Sequence, residues 1–590
     1  MRSFLFSLAL ALSACAATSA NMQPTTPIAL RWSDAQIEPI LGRTQTLHLA
    51  PDLSTLTPGE QAAVRELIAA GERLHLLYMQ QNHAQARAAA AFLEARPELE
   101  AQRTLFRLMR GPITTTLDNQ REAFLDVAAE TPARNMYPEG TTREAFDAYL
   151  TDNPARRVEL LDDRAVVWAA SPDNRRRALS ALDRYPALET LHPGLRERLL
   201  ASDTYLSVPS SVAYADDIFF VYDRLNAAAA HVERNDPAFA RYLRLRARDL
   251  IADDYEGGDA AWVTSEFSGN LNAQIGAYET YDDALYGVKT FFSLSLLQRD
   301  RARSDELATA LGDIQVVEDA LPYEHHREVR SDIPVGVYNI IADFGQARGG
   351  NTATILPNEA YLARQYGRTI LIRGNILLNP ERAQTTATSF NAAIVESQHA
   401  DLTAEGGFYR TLWHEVGHYL GVDRTADGRD LDAALEDTAD LLEEMKADLV
   451  SLMAARILNR RDQLTDVQLR SIYASGILRV LQNNRKRRHQ PYLYMQLIQW
   501  NWFLDRGVLR YDDGRMQIDY ARYPAAVESL LREVLALQRA GDRARANAFV
   551  ERWTRWDDDL HGVVARNIRE NQRARFTLVT YEALDGPNPN

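Results

Sequence analysis

The feature that most constrains this chain is the spacing of two histidines ahead of an acidic helix. Residues 411–452 read TLWHEVGHYLGVDRTADGRDLDAALEDTADLLEEMKADLVSL. His414 and His418 are four apart, with Glu415 beside the first. On a helix, positions i and i+4 share a face, so both imidazoles can address one ion. A His-Glu-x-x-His pattern on a helix supplies two zinc ligands and a general base, the pattern of zinc peptidases. Gly421 and Asp423 fit a helix end and a loop. A second helix is expected from about Leu431, with Leu435, Leu442, Leu449 and Leu452 at helical spacing.

That second helix carries Glu443, Glu444 and Asp448. A catalytic zinc takes three protein ligands and leaves one position for water. Glu444 is the natural third ligand. Asp448, one turn further on, can accept a hydrogen bond from a ligand histidine and fix its tautomer. An acidic helix alone is usually a solvated face. The histidine pair and the downstream Glu-x-x-x-Asp together point to one Zn2+ per chain.

The 590 residues are enough for more than one domain. A net charge of −15 disfavours a nucleic-acid partner, which would require a basic patch. The start, MRSFLFSLALALSACAATSA, reads as a secretory signal too short to span a bilayer. Leu12-Ser13-Ala14-Cys15 resembles the bacterial lipobox, in which the cysteine becomes the lipidated first residue of the mature protein. The alternative is an ordinary signal cut near Ala20. Ala16, following the cysteine, is not the aspartate that retains lipoproteins at the inner membrane, so the outer membrane is favoured. The expected location is the bacterial cell envelope, facing the periplasm, with membrane contact only through the lipid anchor. Cys15 is the single cysteine, so no disulfide within the chain is expected.

The expected organisation is a signal over 1–14, a tether and lead-in segment over 15–55, a mixed α/β lobe over 56–395, a helical zinc lobe over 396–570 and a closing strand with tail over 571–590. Thr57-Pro58-Gly59-Glu60 starts a helix whose apolar side holds Val64, Leu67, Leu74 and Leu77. Helices broken by Pro, Gly and Asn continue to about 250. Between about 255 and 385 β-type runs enter, including 335–341 and 369–372. A helical region over about 492–570 precedes the closing strand, 575–581. The fold class is α+β, predominantly helical, with two lobes around a cleft.

Four further segments make the chain similar to the dipeptidyl peptidase III family of zinc metallopeptidases, in its bacterial and Nudix-associated branch. They are LTPGEQAAVRELIAAGERLHLLYMQQ, GNLNAQIGAYETYDDALYGVKTFF, DIPVGVYNI and Glu443-Glu444-Met445-Lys446-Ala447-Asp448. A helix over Leu531–Ala548 also fits the family's C-terminal pattern. No Nudix box is present. The resemblance implies that His414, His418 and Glu444 bind zinc and that Glu415 is the catalytic base. It implies that Glu443 and Asp448 are outer partners of the histidines. Tyr281 would stabilise the tetrahedral intermediate, and Glu279 and Asn339 would hold the substrate's free amino terminus. The implied activity is release of dipeptides from short peptides.

The chain departs from the family at two places. The best-known members have one more residue inside the histidine motif. A family histidine that contacts the reacting carbonyl has no match in RKRRHQPYLYMQLIQWNWFLDRG, where Tyr492 or Tyr494 falls near its place and His489 lies just upstream. The competing readings are a thermolysin-like endopeptidase or aminopeptidase, a zinc hydrolase of a non-peptide amide, and a non-catalytic zinc-binding envelope lipoprotein.

Overall fold

The computed structural model describes residues 28–312, 314–329, 335–356, 360–482 and 491–585. Cys15 and His489 lie outside the described residues, as does the side chain of Tyr492. Among the described residues, no helix is long and apolar enough to cross a membrane.

A five-stranded sheet lies between two hydrophobic cores. Its strands are β1 Leu271–Ala277, β2 Phe292–Arg299, β3 Val335–Gly345, β4 Ala353–Leu356 and β5 Thr369–Arg373. They run in the order β1-β2-β3-β5-β4, antiparallel except for the parallel β3–β5 pair. Alternation along β5 feeds both cores. Leu371 joins the first, while Ile370 and Ile372 join the second. The sheet curls so far that its edges meet one side chain. The buried Arg373 guanidinium donates to Gln274 on β1 at 3.2 Å, to Ser295 on β2 at 3.1 Å and to Thr354 on β4.

Helix α1, Pro58–Asn82, lies across β2 and β3 in the first lobe. Thr57 caps it as expected, and Glu60 reaches back to the Thr57 backbone N–H at 2.8 Å. Its four anticipated apolar residues are all buried. The first 250 residues also contain antiparallel strand pairs that the helical reading missed. Ala165–Ala169 pairs with Tyr205–Pro209, and Ile113–Thr115 with Arg121–Ala123.

The second lobe is built on helices α2 Pro380–Ala393, α3 Ala404–Gly417, α4 Ala439–Arg460 and α5 Asp466–Leu481. The helix expected from Leu431 is broken. A short piece, Leu431–Leu435, ends at Glu436 with φ of 47°, and α4 starts afresh at Ala439. The expected Leu531–Ala548 helix is likewise two, Tyr523–Ala540 and Arg543–Trp553. Gly541 in the left-handed region ends the first, and Asp542 caps the second. The helical region also contains a hairpin, Leu509–Asp512 with Arg515–Ile518.

The closing strand, Phe576–Tyr581, pairs in parallel with Thr44–Leu49. Leu47, Leu49, Val579 and Tyr581 are buried in the first core. A cavity of about 810 Å³ opens between the lobes, with Trp262 and Tyr338 on one side and Tyr419 on the other.

Candidate metal centre

Thr403 caps α3 by accepting from the Gly406 N–H at 3.2 Å. The helix ends inside the histidine motif. His418 is its C-cap residue, still at helical angles of −66° and −22°, so the motif keeps one face. The two imidazole rings are 5.0 Å apart and nearly perpendicular. Gly417 packs against the backbone of Ala447 on α4, where an added Cβ would lie 2.9 Å from the Ala447 carbonyl oxygen. That approach brings Glu444 to the histidines. His414 Nε2 is 3.3 Å from Glu444 Oε2. Ligand atoms of His414, His418 and Glu444 all fall within 4.8 Å of one another, so one metal ion fits this set.

Outer partners fix both rings. His414 Nδ1 donates to Asp448 Oδ1 at 2.7 Å, and His418 Nδ1 to Glu443 Oε1 at 3.0 Å. These bonds leave Nε2 of each ring for a metal. Asp448 is held in turn by Arg410 at 3.0 Å and Arg479 at 2.9 Å. Glu443 is held by Lys446 at 2.8 Å and accepts from Gln538 at 3.3 Å. Burial would lift the Asp448 carboxyl, but Arg479, His414 and Arg410 hold it well below the usual range. Burial likewise opposes ionisation of Glu443, yet Lys446 and His418 bring it down to about 2. Burial alone would lower His414. Asp448 outweighs it, with Glu444 and Glu415 adding, and lifts the ring to about 9. Glu415 is half-buried on the same turn.

Tyr281 and Glu279 lie on the loop after β1 and hydrogen-bond to each other. The Tyr281 ring is 84% exposed to solvent. Partial burial of its hydroxyl, then Glu279 and to a lesser degree Glu444, raise its phenol above the ordinary value. Two aspartates pin this loop. Asp283 accepts from the backbone N–H groups of Leu285, Tyr286, Val288 and Lys289 at 2.9–3.1 Å, and from Tyr137 Oη at 3.1 Å. Asp282 accepts from Tyr78 at 3.1 Å and Gln346 at 2.9 Å.

The structure sets Asn339 apart from these residues. Strand register pairs it with Gln298, at the other end of β2 from Phe292, the partner of Ala277. Its Oδ1 lies 3.5 Å from where a Cβ on Gly374 would sit, at the turn out of β5. Tyr494 packs against the second core.

The roles of Arg410, Arg479, Gln538, Asp282 and Asp283 were not anticipated. Arg410 precedes His414 by one turn, a spacing that could have revealed it. The two aspartates follow Tyr281 directly. Arg479 and Gln538 are 31 and 95 residues from the carboxylates they hold, and no local pattern marks them.

No family model matches the chain. Nudix hydrolase 3 of Arabidopsis thaliana is 26% identical over 367 residues, 60% of this chain and 46% of that protein, so the match spans about half of that relative. Dipeptidyl peptidase III from Caldithrix abyssi superposes with a TM-score of 0.78 at 20% identity, over 92% of this chain and 99% of its own. Dipeptidyl peptidase III from Corallococcus sp. strain EGB superposes at 0.71 and 21% identity, over 93% and 97%. The chain is an α+β protein with two helical histidines and a glutamate gathered as a candidate metal set. Its fold is that of the dipeptidyl peptidase III structures.

Proposed function

We propose that this chain is a zinc metallopeptidase of the dipeptidyl peptidase III family, releasing dipeptides from the amino terminus of short peptides. The observation that carries the reading is the gathering of His414, His418 and Glu444 into one ligand set on a fold shared with dipeptidyl peptidase III structures. The ligand set and Glu415 come from the helical lobe, and Tyr281 with Glu279 from the loop after β1.

His414, His418 and Glu444 would hold the ion, each histidine through Nε2. When bound, zinc supplies a Lewis acid that makes a water more acidic and polarises a carbonyl. Glu415 takes the proton from the attacking water and delivers it to the leaving amine. The Tyr281 hydroxyl donates to the oxygen on which charge develops. Glu279 accepts from the substrate ammonium and sets the register of cleavage. Asp448 and Glu443 keep both rings in the tautomer that presents Nε2.

The test is a mass-spectrometric product ladder from one unblocked octapeptide, run with wild type, Glu415→Gln and a chelator. Dipeptides released stepwise from the amino terminus, and lost in both controls, are the expected outcome. Single residues or internal cuts would favour an aminopeptidase or thermolysin-like endopeptidase and discard dipeptidyl specificity. Zinc bound at one equivalent with no cleavage would move the reading to a non-peptide substrate or a binding role.

We place the protein in the bacterial envelope as an outer-membrane lipoprotein, on the sequence around Cys15. Radiolabelled palmitate should enter the wild-type protein and not Cys15→Ala, and labelling of both would discard the anchor.

A further inference from the structure

The two arginines that clamp Asp448 also line a second cavity. It measures about 540 Å³ and lies among α2, α3 and α5. Arg410 and Arg479 form part of its wall, with Arg382 from α2. No aspartate or glutamate is among its described lining residues. Arg382 is half-buried and has no carboxylate partner among the described residues. Burial pulls its guanidinium below the ordinary value, and no neighbouring charge opposes that pull. Arg410 is half-buried too, and burial with the neighbouring Arg479 brings it down to about 10. Thr403 and Ala404 add the amino-terminal end of α3, the positive end of the helix dipole. Thr411 adds a hydroxyl group, whereas the Thr386 hydroxyl already donates to the Arg382 carbonyl at 2.8 Å.

Three arginines, a helix start and a hydroxyl line this space, with no acid among its described lining residues, a chemistry suited to an anion. Planar guanidinium groups match a tetrahedral oxyanion with paired N–H donors. We propose that this cavity binds a small tetrahedral oxyanion of the sulfate or phosphate class, and that its occupancy is coupled to the metal site through Asp448. The coupling follows from shared atoms. Arg410 and Arg479 bond to Asp448, and Asp448 bonds to His414. An anion held by the same arginines adds negative charge behind the ligand and favours a cation at the other end. Linkage is reciprocal, so zinc and the anion raise each other's affinity by one factor. The anion site stands without the peptidase reading, while its coupling rests on the proposed metal site.

The test is isothermal titration calorimetry of the full chain, metal-free and zinc-loaded, with sodium sulfate or O-phosphoserine at constant ionic strength set by chloride. Sulfate binding at one equivalent is the expected outcome, weakened about tenfold or more in Arg382→Gln. Binding of O-phosphoserine alone would assign the site to a phosphate monoester rather than a free ion. The basic run Arg485-Lys486-Arg487-Arg488 provides the control. Neutralising it should leave binding unchanged. Circular dichroism of Arg382→Gln, and partial retention of binding in Arg382→Lys, separate a lost contact from a lost fold. Equal affinity in wild type and Arg382→Gln, or loss only when the basic run is neutralised, would overturn the site. Equal sulfate affinity with and without zinc would overturn the coupling.

Discussion

Glu443 and Asp448 face the same kind of partner but are held differently. Asp448 is buried and gripped by two arginines, whereas Glu443 takes one lysine and an amide. Asp448→Asn should lower zinc affinity by about 10–100-fold, measured by competition with a chromophoric chelator. Glu415→Gln should keep its zinc and lose about 10²–10⁴ in kcat, the usual share of a general base. Equal loss of metal and rate would instead make Glu415 a structural residue. Lys289 offers a pH test away from the metal. Its ammonium donates to the carbonyls of Leu160 at 2.9 Å and Asp162 at 2.5 Å. Burial brings it from 10.5 to about 8, against the pull of Asp162, Asp283 and Asp163. The folded chain then binds fewer protons than the unfolded one between those values, so stability should rise as pH climbs through the window. The melting temperature of wild type relative to Lys289→Met should rise across that window, and a fall would show that the sign is wrong.

At the scale of elements, the metal set depends on one close helix contact. Gly417 lets α3 approach the Ala447 backbone. Gly417→Val must push the helices apart and move Glu444 from the histidines. Zinc affinity should fall while the melting temperature of the metal-free protein drops by the equivalent of about 1–3 kcal/mol. Unchanged affinity would show that the ligand set tolerates the shift. This contact also shows what the sequence makes legible. The histidine spacing, the acidic helix and the Thr57 cap are short-range patterns, and each can be read directly. Gly417 stands within the motif, but the backbone it packs against is set by the tertiary fold. Strands β1 and β2 were harder to delimit because both are buried along nearly their whole length and show no alternation of polar and apolar residues. Asn339 pairs with Gln298, at the other end of β2 from the partner of Ala277. A short strand match carries no information about which end of the sheet it occupies.

At the scale of the whole molecule, the first lobe is not made from one continuous stretch. Strand Phe576–Tyr581 completes its core with Val579 and Tyr581, 3% and 1% exposed. A chain ending before Phe576 should lose on the order of 5 kcal/mol from the two buried side chains and the strand ladder. It should also expose Thr44–Leu49 as an unpaired edge. A lower melting temperature and a shift to larger, aggregated species in size-exclusion chromatography would show both effects. Unchanged behaviour would mean that the strand is an accessory.

The same pairing has a consequence for biosynthesis. Gln45 and Thr577 share a hydrogen bond across 532 residues, so one partner leaves the ribosome long before the other exists. At about 5–20 residues per second, the early strand waits roughly half a minute to two minutes for its mate. Until then the newborn lobe carries an open seam, and a translational pause late in the message would prolong its exposure to chaperones and to neighbouring nascent chains.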